Sequence, residues 1–205
     1  MFTAKELFNY RDEVRNAAKG EKSAYFFNDS ILHAMLILKN IFDGKDENAS
    51  KSNTVVRMYC GTMSLFRQQA KNEAANAKNV CVLDIEDDEL RSEWGAWDLW
   101  QELRKSLENY LTHEGRLEII LDDVGPLLKD ADLTNLLSKK GRVVVRKLTT
   151  SLGLPHVTTS EIAYRIEDSH VDRTATCAFN DRDTARSFIN SFDAMKQFTV
   201  PVYFS

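Results

Sequence analysis

Cysteine is scarce in this chain. The three thiols, Cys60, Cys81 and Cys177, are far apart, odd in number and without CxxC spacing, which argues against a disulfide framework and against a zinc site. With 3 prolines and 8 glycines there is no low-complexity stretch, and no internal repeat is visible. No run of about 18 uncharged apolar residues exists, so no membrane span is expected. The opening "MFTAKELFNYRDEVRNAAKGEK" is charged throughout, unlike a secretory signal, and a cytoplasmic protein is expected. GxxxxGK[ST], GxGxxG, HExxH and GxSxG are all missing, which leaves P-loop hydrolysis, zinc-protease and serine-hydrolase chemistry without support.

What is present suffices for a core: 205 residues, 43% of them hydrophobic, can build one domain with a modest appendage. The net charge of −4 does not suit a protein that mainly coats phosphate backbones, although a local basic groove is compatible with it. The charge is unevenly placed. Residues 84–98, "DIEDDELRSEWGAWD", hold seven acids against Arg91, whereas "KKGRVVVRKL" at 139–148 is basic. Two solvated faces explain both. The acidic segment, with Asp87, Asp88, Glu89, Trp94 and Trp97, is also the candidate docking surface for a protein partner, whereas the basic run lacks interleaved aromatics for a single-strand groove.

Along the chain, Asn28, Asp29 and Ser30 are candidate caps for a buried helix with Ile31, Leu32, Met35, Leu36 and Leu38 at helical spacing, where His33 reads as a packed residue. "TVVRMYC" predicts a central strand stopped at Gly61. "RQQAKNEAANAK" has helix propensity, and "NVCVLDI" suits a short strand. A helix is expected from Trp94 to Gly115, with Ala96, Leu99, Trp100, Leu103, Leu107, Tyr110 and Leu111 on one buried stripe, Trp97 at its border and Trp94 outside it. Then follow strand "RLEIILDDV", helix "PLLKDADLTNLLSKKG", strand "RVVVRKL", strand "HVTTSEIAYRIE", strand "TATCAFND", helix "RDTARSFINSFDAMKQF" and a terminal strand or docked end "TVPVYFS". The class is α/β, a mixed, largely parallel sheet flanked by helices. The adjacent Asp122 and Asp123 read as a cap or loop feature in preference to a metal site.

That element order, with "RLEIILDD", "RVVVRKL", "LPH", "AYRIE", "TATCAFND" and "DTARSFINSFDAM", resembles one half of the phospholipase D-like superfamily over roughly residues 24–198. The resemblance implies residues 1–23 as an N-terminal helical extension and 24–205 as the domain, with an acidic helical insertion at about 67–93. It also implies a homodimer, because two halves build one site. The family signature is HxKxxxxD followed by a Gly-Ser and an Asn. One histidine attacks phosphorus, a second protonates the leaving oxygen, and two lysines hold the phosphoryl oxygens without a metal.

Of that signature only His156 survives here. Thr158 stands at the lysine position, Ala163 at the aspartate position, and no Gly-Ser and Asn follow. Glu161 is the nearest acid, and Arg165 and Glu167 share one side of the next strand by its two-residue period. His156, Arg165 and Glu167, with Asp172 or Arg173, make an altered phosphate site one reading, since arginine binds phosphate bidentately. The other is an exposed Arg165–Glu167 pair on an open sheet or across a dimer, with His156 filling an old pocket. The sequence therefore predicts a catalytically degenerate, homodimeric interaction module, from a phage or mobile element in one version, where the partner is a host or defence protein. An active metal-independent phosphodiesterase or nuclease is the alternative. No cofactor, metal or membrane partner is expected, and nucleic acid is less favoured than protein.

Overall fold

The computed structural model describes residues 24–27, 31–43, 54–61, 80–82, 93–113, 115–138, 141–169, 174–178 and 181–204. The expected N-terminal extension, the candidate caps at 28–30, the expected helix at 67–78 and Asp87, Asp88, Glu89, Asp172 and Arg173 lie outside them.

In chain order the elements are β1 (Ala24–Phe27), α1 (Ile31–Asp43), β2 (Val55–Cys60), β3 (Val80–Val82), β4 (Glu93–Gly95), α2 (Ala96–Thr112), β5 (Arg116–Leu121), α3 (Gly125–Leu128), α4 (Ala131–Leu137), β6 (Val143–Leu148), β7 (Val157–Thr159), β8 (Tyr164–Ser169), β9 (Thr174–Ala178), α5 (Arg182–Met195), a 3-10 turn (Lys196–Phe198) and β10 (Thr199–Val202). Eight strands form one sheet in the order β1-β9-β8-β7-β2-β5-β6-β10, and β3 and β4 form a separate two-stranded ribbon. The mixed α/β class stands, and β2 is central as its apolar run requires.

The expectation of a largely parallel sheet needs correction. Parallel pairing is confined to β2–β5 and β5–β6, and the five other junctions are antiparallel. The sheet neighbours β2 and β5, and β5 and β6, follow one another through helical crossovers, whereas β7 and β8 are linked by a tight turn.

Three further boundaries differ from the sequence reading. The run 156–167 is a hairpin, because Ser160 makes a turn: its N–H donates to the Ala163 carbonyl (2.8 Å) and its Oγ accepts from Ala163 N (3.1 Å). The single helix at 126–141 is two, since the Asp130 carboxylate accepts from Leu133 N (3.2 Å) and starts a new helix. Finally, α2 begins at Ala96: Glu93, Trp94 and Gly95 pair with Val82, Cys81 and Val80, so Trp94 belongs to a strand.

Helices cover both faces of the sheet. On one, Met35, Ile37 and Phe42 of α1 and Trp100, Leu103, Leu107 and Leu111 of α2 pack with Val56, Met58, Leu117, Ile119 and Val145. On the other, Phe192 and Met195 of α5 close over Tyr59, Ile120, Leu148 and Val157. Each such side chain contributes about 1.5–3 kcal/mol on burial. The chain returns along the far edge, where β10 pairs with β6. Among the described residues no helix is long and apolar enough to cross a membrane.

Candidate functional site

The parallel strands β2 and β5 end side by side, Cys60 opposite Leu121. In open α/β sheets the crevice outside such carboxyl ends is where ligands bind. Here the chain places polar groups on one another. The Tyr59 hydroxyl donates to Asp122, 3.1 Å from Oδ1 and 3.3 Å from Oδ2. Burial, reinforced by the charge of Asp122 and by this hydrogen bond, pushes the Tyr59 phenol up to about 12. Burial also pushes the Cys60 thiol up to about 12; Asp122 adds to the rise, and the positive charge of Arg165 opposes it. Cys60 is therefore a neutral thiol, unsuited to nucleophilic work at neutral pH.

The β7–β8 hairpin brings the remaining groups to the same corner. Glu167 N donates to the His156 carbonyl (2.9 Å), and Nδ1 of His156 lies 3.1 Å from Glu167 Oε2. The imidazole also meets the Tyr59 ring edge-on, with centroids 5.6 Å apart. Thr158 pairs with Met58 on one side and Arg165 on the other, and Arg165 pairs in turn with Cys177. Cross-strand partners share a face, so Thr158 and Arg165 point toward the face covered by α1 and α2. Both are buried, at 5% and 6% exposure. The register slips between Glu167 and Ser169, an irregularity beside a site-lining residue.

His156, Arg165 and Glu167, picked out in the sequence, thus lie along one hairpin, and the first and third touch. Arg165 is buried and not on an exposed surface, and Glu167 meets the imidazole. Trp94 sits in β4 opposite Cys81, and Trp97 is in the first turn of α2. Sequence reasoning missed Tyr59 and Cys60 as site residues and took Asp122 with Asp123 as a loop pair. That holds for Asp123, whose Oδ1 accepts from Gly125 N (2.8 Å) at the start of α3. Asp122 instead faces the tyrosine. The available signal was the polar ending of two buried strands, "YCG" and "LDD". Among the described residues no group of three metal-ligating side chains is found.

No protein-family model and no curated protein matches the sequence. Solved structures do. TrmBL2, an archaeal chromatin protein described as showing a novel mode of DNA binding, aligns with a TM-score of 0.53 at 12% identity over 97% of this chain. The chain spans 66% of that protein's length. Nuc from Salmonella typhimurium, a phospholipase D family member, aligns with a TM-score of 0.50 at 12% identity over 90% of this chain and 100% of its own. The fold is therefore a mixed α/β fold of the phospholipase D-like kind. At this identity the likeness is one of fold.

Proposed function

We propose that this chain is a catalytically degenerate phospholipase D-like half that acts as a homodimeric binding module. One observation carries the reading: the position of the signature lysine is a buried threonine, Thr158, and the cation across the ladder from it, Arg165, is buried as well. A phosphoryl group needs a preorganised cation at the open face of the histidine, and losing one such contact typically costs about 10²-fold to 10³-fold in rate. The acidic segment with Trp94 and Trp97 is the surface for a protein partner, and each copy supplies one half of the architecture.

The test is hydrolysis of single-stranded DNA, double-stranded DNA, RNA and a generic phosphodiester in chelator, with light scattering for the assembly. The expected result is no turnover and a mass twice the chain's 23.4 kDa. A monomer at high micromolar concentration would overturn the dimer. The runner-up, an altered phosphodiesterase, is favoured by the His156–Glu167 contact, which orients an imidazole as a nucleophile requires. Turnover lost in both His156→Ala and Arg165→Ala would put that enzyme first.

A further inference from the structure

The second sheet face is only partly covered. Among the described residues α5 packs against Tyr59, Ile120, Leu148 and Val157, and no described helix packs against the outer β5–β6–β10 end of that face. Ladder partners fix what lies there. Glu118 pairs with Val144, Ile120 with Arg146, and Arg146 with Pro201. Arg116 and Arg142 continue the same alternation at the strand starts, where Leu117 N donates to the Arg142 carbonyl. Val202 and Phe204 pack into the core on the opposite face, so Tyr203 between them turns to the open one, beside Val144. Tyr203 is 84% exposed, Val144 46%, and Arg116 and Pro201 are exposed too.

The charge on this end is of one sign. Among β2, β5, β6 and β10 the only acid on that face is Glu118, and it is held by Lys196 (2.6 Å) and Arg57 (3.4 Å). Asp193 of α5 is likewise held by Lys196 (2.7 Å) and Arg57 (3.8 Å). Those four charges neutralise one another. Arg116 and Arg142 have no ion pair among the described residues, and Arg146 uses Nε to donate to Thr199 Oγ1 (2.6 Å), which leaves its two terminal nitrogens. Arg142, just before β6, and Arg146 within it are four residues apart, about 13 Å at 3.3 Å per residue, with Val144 and Tyr203 between them.

We propose that this open end, lined by Arg116, Arg142, Arg146 and Tyr203, binds a single nucleic-acid strand, its arginines on phosphates and Tyr203 stacked on a base. Guanidinium forks suit phosphate oxygens, and an exposed aromatic between cations is what a single-strand platform needs. The site lies on the sheet face opposite Arg165 and near the other edge, and it does not depend on the binding-module reading of the His156 corner.

The experiment is fluorescence anisotropy of the full chain with a labelled oligothymidylate of about 16 nucleotides, between about 50 and 200 mM salt. Three arginine–phosphate contacts give a log–log salt slope of about −2, at about −0.7 each. Arg116→Ala or Arg142→Ala should remove about 0.7 of that slope. Tyr203→Ala should weaken binding roughly tenfold and leave the slope unchanged, as loss of stacking does. His156→Ala should change neither, and unchanged melting temperatures of the surface variants confirm that they fold. Absence of binding at low salt, or a slope indifferent to both arginine changes, would overturn the proposal. So would a peptide of residues 84–98 that binds this face when the oligonucleotide does not, which would assign the arginines to carboxylates.

Discussion

The two ends of the β2–β5 pair each hold a tyrosine whose pKa is raised mainly by burial, yet they are built differently. At the amino end the Tyr110 hydroxyl lies 2.7 Å from the Thr54 carbonyl and 2.8 Å from that of Arg116 as donor, and it accepts from Val56 N (3.1 Å). All its partners are main chain. At the carboxyl end the Tyr59 hydroxyl meets Asp122, and the neighbouring groups, Cys60, His156 and Glu167, are titratable side chains. A tyrosine spent on backbone groups satisfies strands that must be paired, which is a folding task. One held by a carboxylate among ionisable groups sits in a network whose charge state a ligand or pH can change. The amino end is a clamp, and the carboxyl end is where a site belongs.

The largest test concerns α2, which connects the two ends. Trp100 lies ten residues, about 15 Å, along the helix from Tyr110 and is buried in the core shared with α1. Trp100→Ala should cost about 3–5 kcal/mol in thermal or denaturant unfolding. Trp94→Ala should leave the melting temperature nearly unchanged while weakening partner capture. Equal destabilisation by the two would make Trp94 core and end the docking idea.

Glycines sharpen the contrast next. A Cβ at Gly115 would come within 2.5 Å of the Tyr110 ring, which three hydrogen bonds hold in place, whereas one at Gly61 would rest 3.6 Å from the His156 ring in ordinary contact. Gly115→Ala should therefore cost about 1–3 kcal/mol, as overpacking does. Gly61→Ala should fall within about 0.5 kcal/mol. A reversed order in urea midpoints would mean that the carboxyl end is the rigid one.

Alkaline pH acts on the raised tyrosines of both ends, and variants at the carboxyl end isolate its share. Tyr59 and Cys60 bind their protons more tightly folded than unfolded, against ordinary values of 10.0 and 9.0. The stability this provides is fully present below pH 9 and is lost as pH rises through about 12. Tyr59→Phe with Cys60→Ala should flatten the decline of unfolding free energy across that window. A decline as steep as in the parent protein would assign it to other groups, Tyr110 among them.

The smallest effect is expected at His156. Its imidazole is partly exposed, with the Glu167 contact and the edge of Tyr59 as neighbours, so His156→Ala should shift stability by no more than about 1 kcal/mol. It should leave the proposed dimer intact. A loss several times larger would show that the corner is a keystone of the hairpin and would weaken its reading as a binding site.

Sequence alone read the stripe Trp100, Leu103, Leu107 and Leu111 as core-facing and the apolar run of β2 as central, because each carries its own periodicity. A two-residue period also put Arg165 and Glu167 on one side of a strand. The pairing of strands was decided only by the tertiary structure. Whether 156–167 is one strand or two depended on a turn held by the Ser160 side chain, and that turn brings Glu167 to the imidazole. Tyr59 and Asp122, 63 residues apart, meet because β2 and β5 run in parallel and end together. The open arginine face likewise joins Arg116, Arg142, Arg146 and Tyr203 through register across three strands. Local pattern reports which way a side chain points relative to its own backbone, whereas the neighbour it meets is set by long-range ladders whose partners no short stretch encodes.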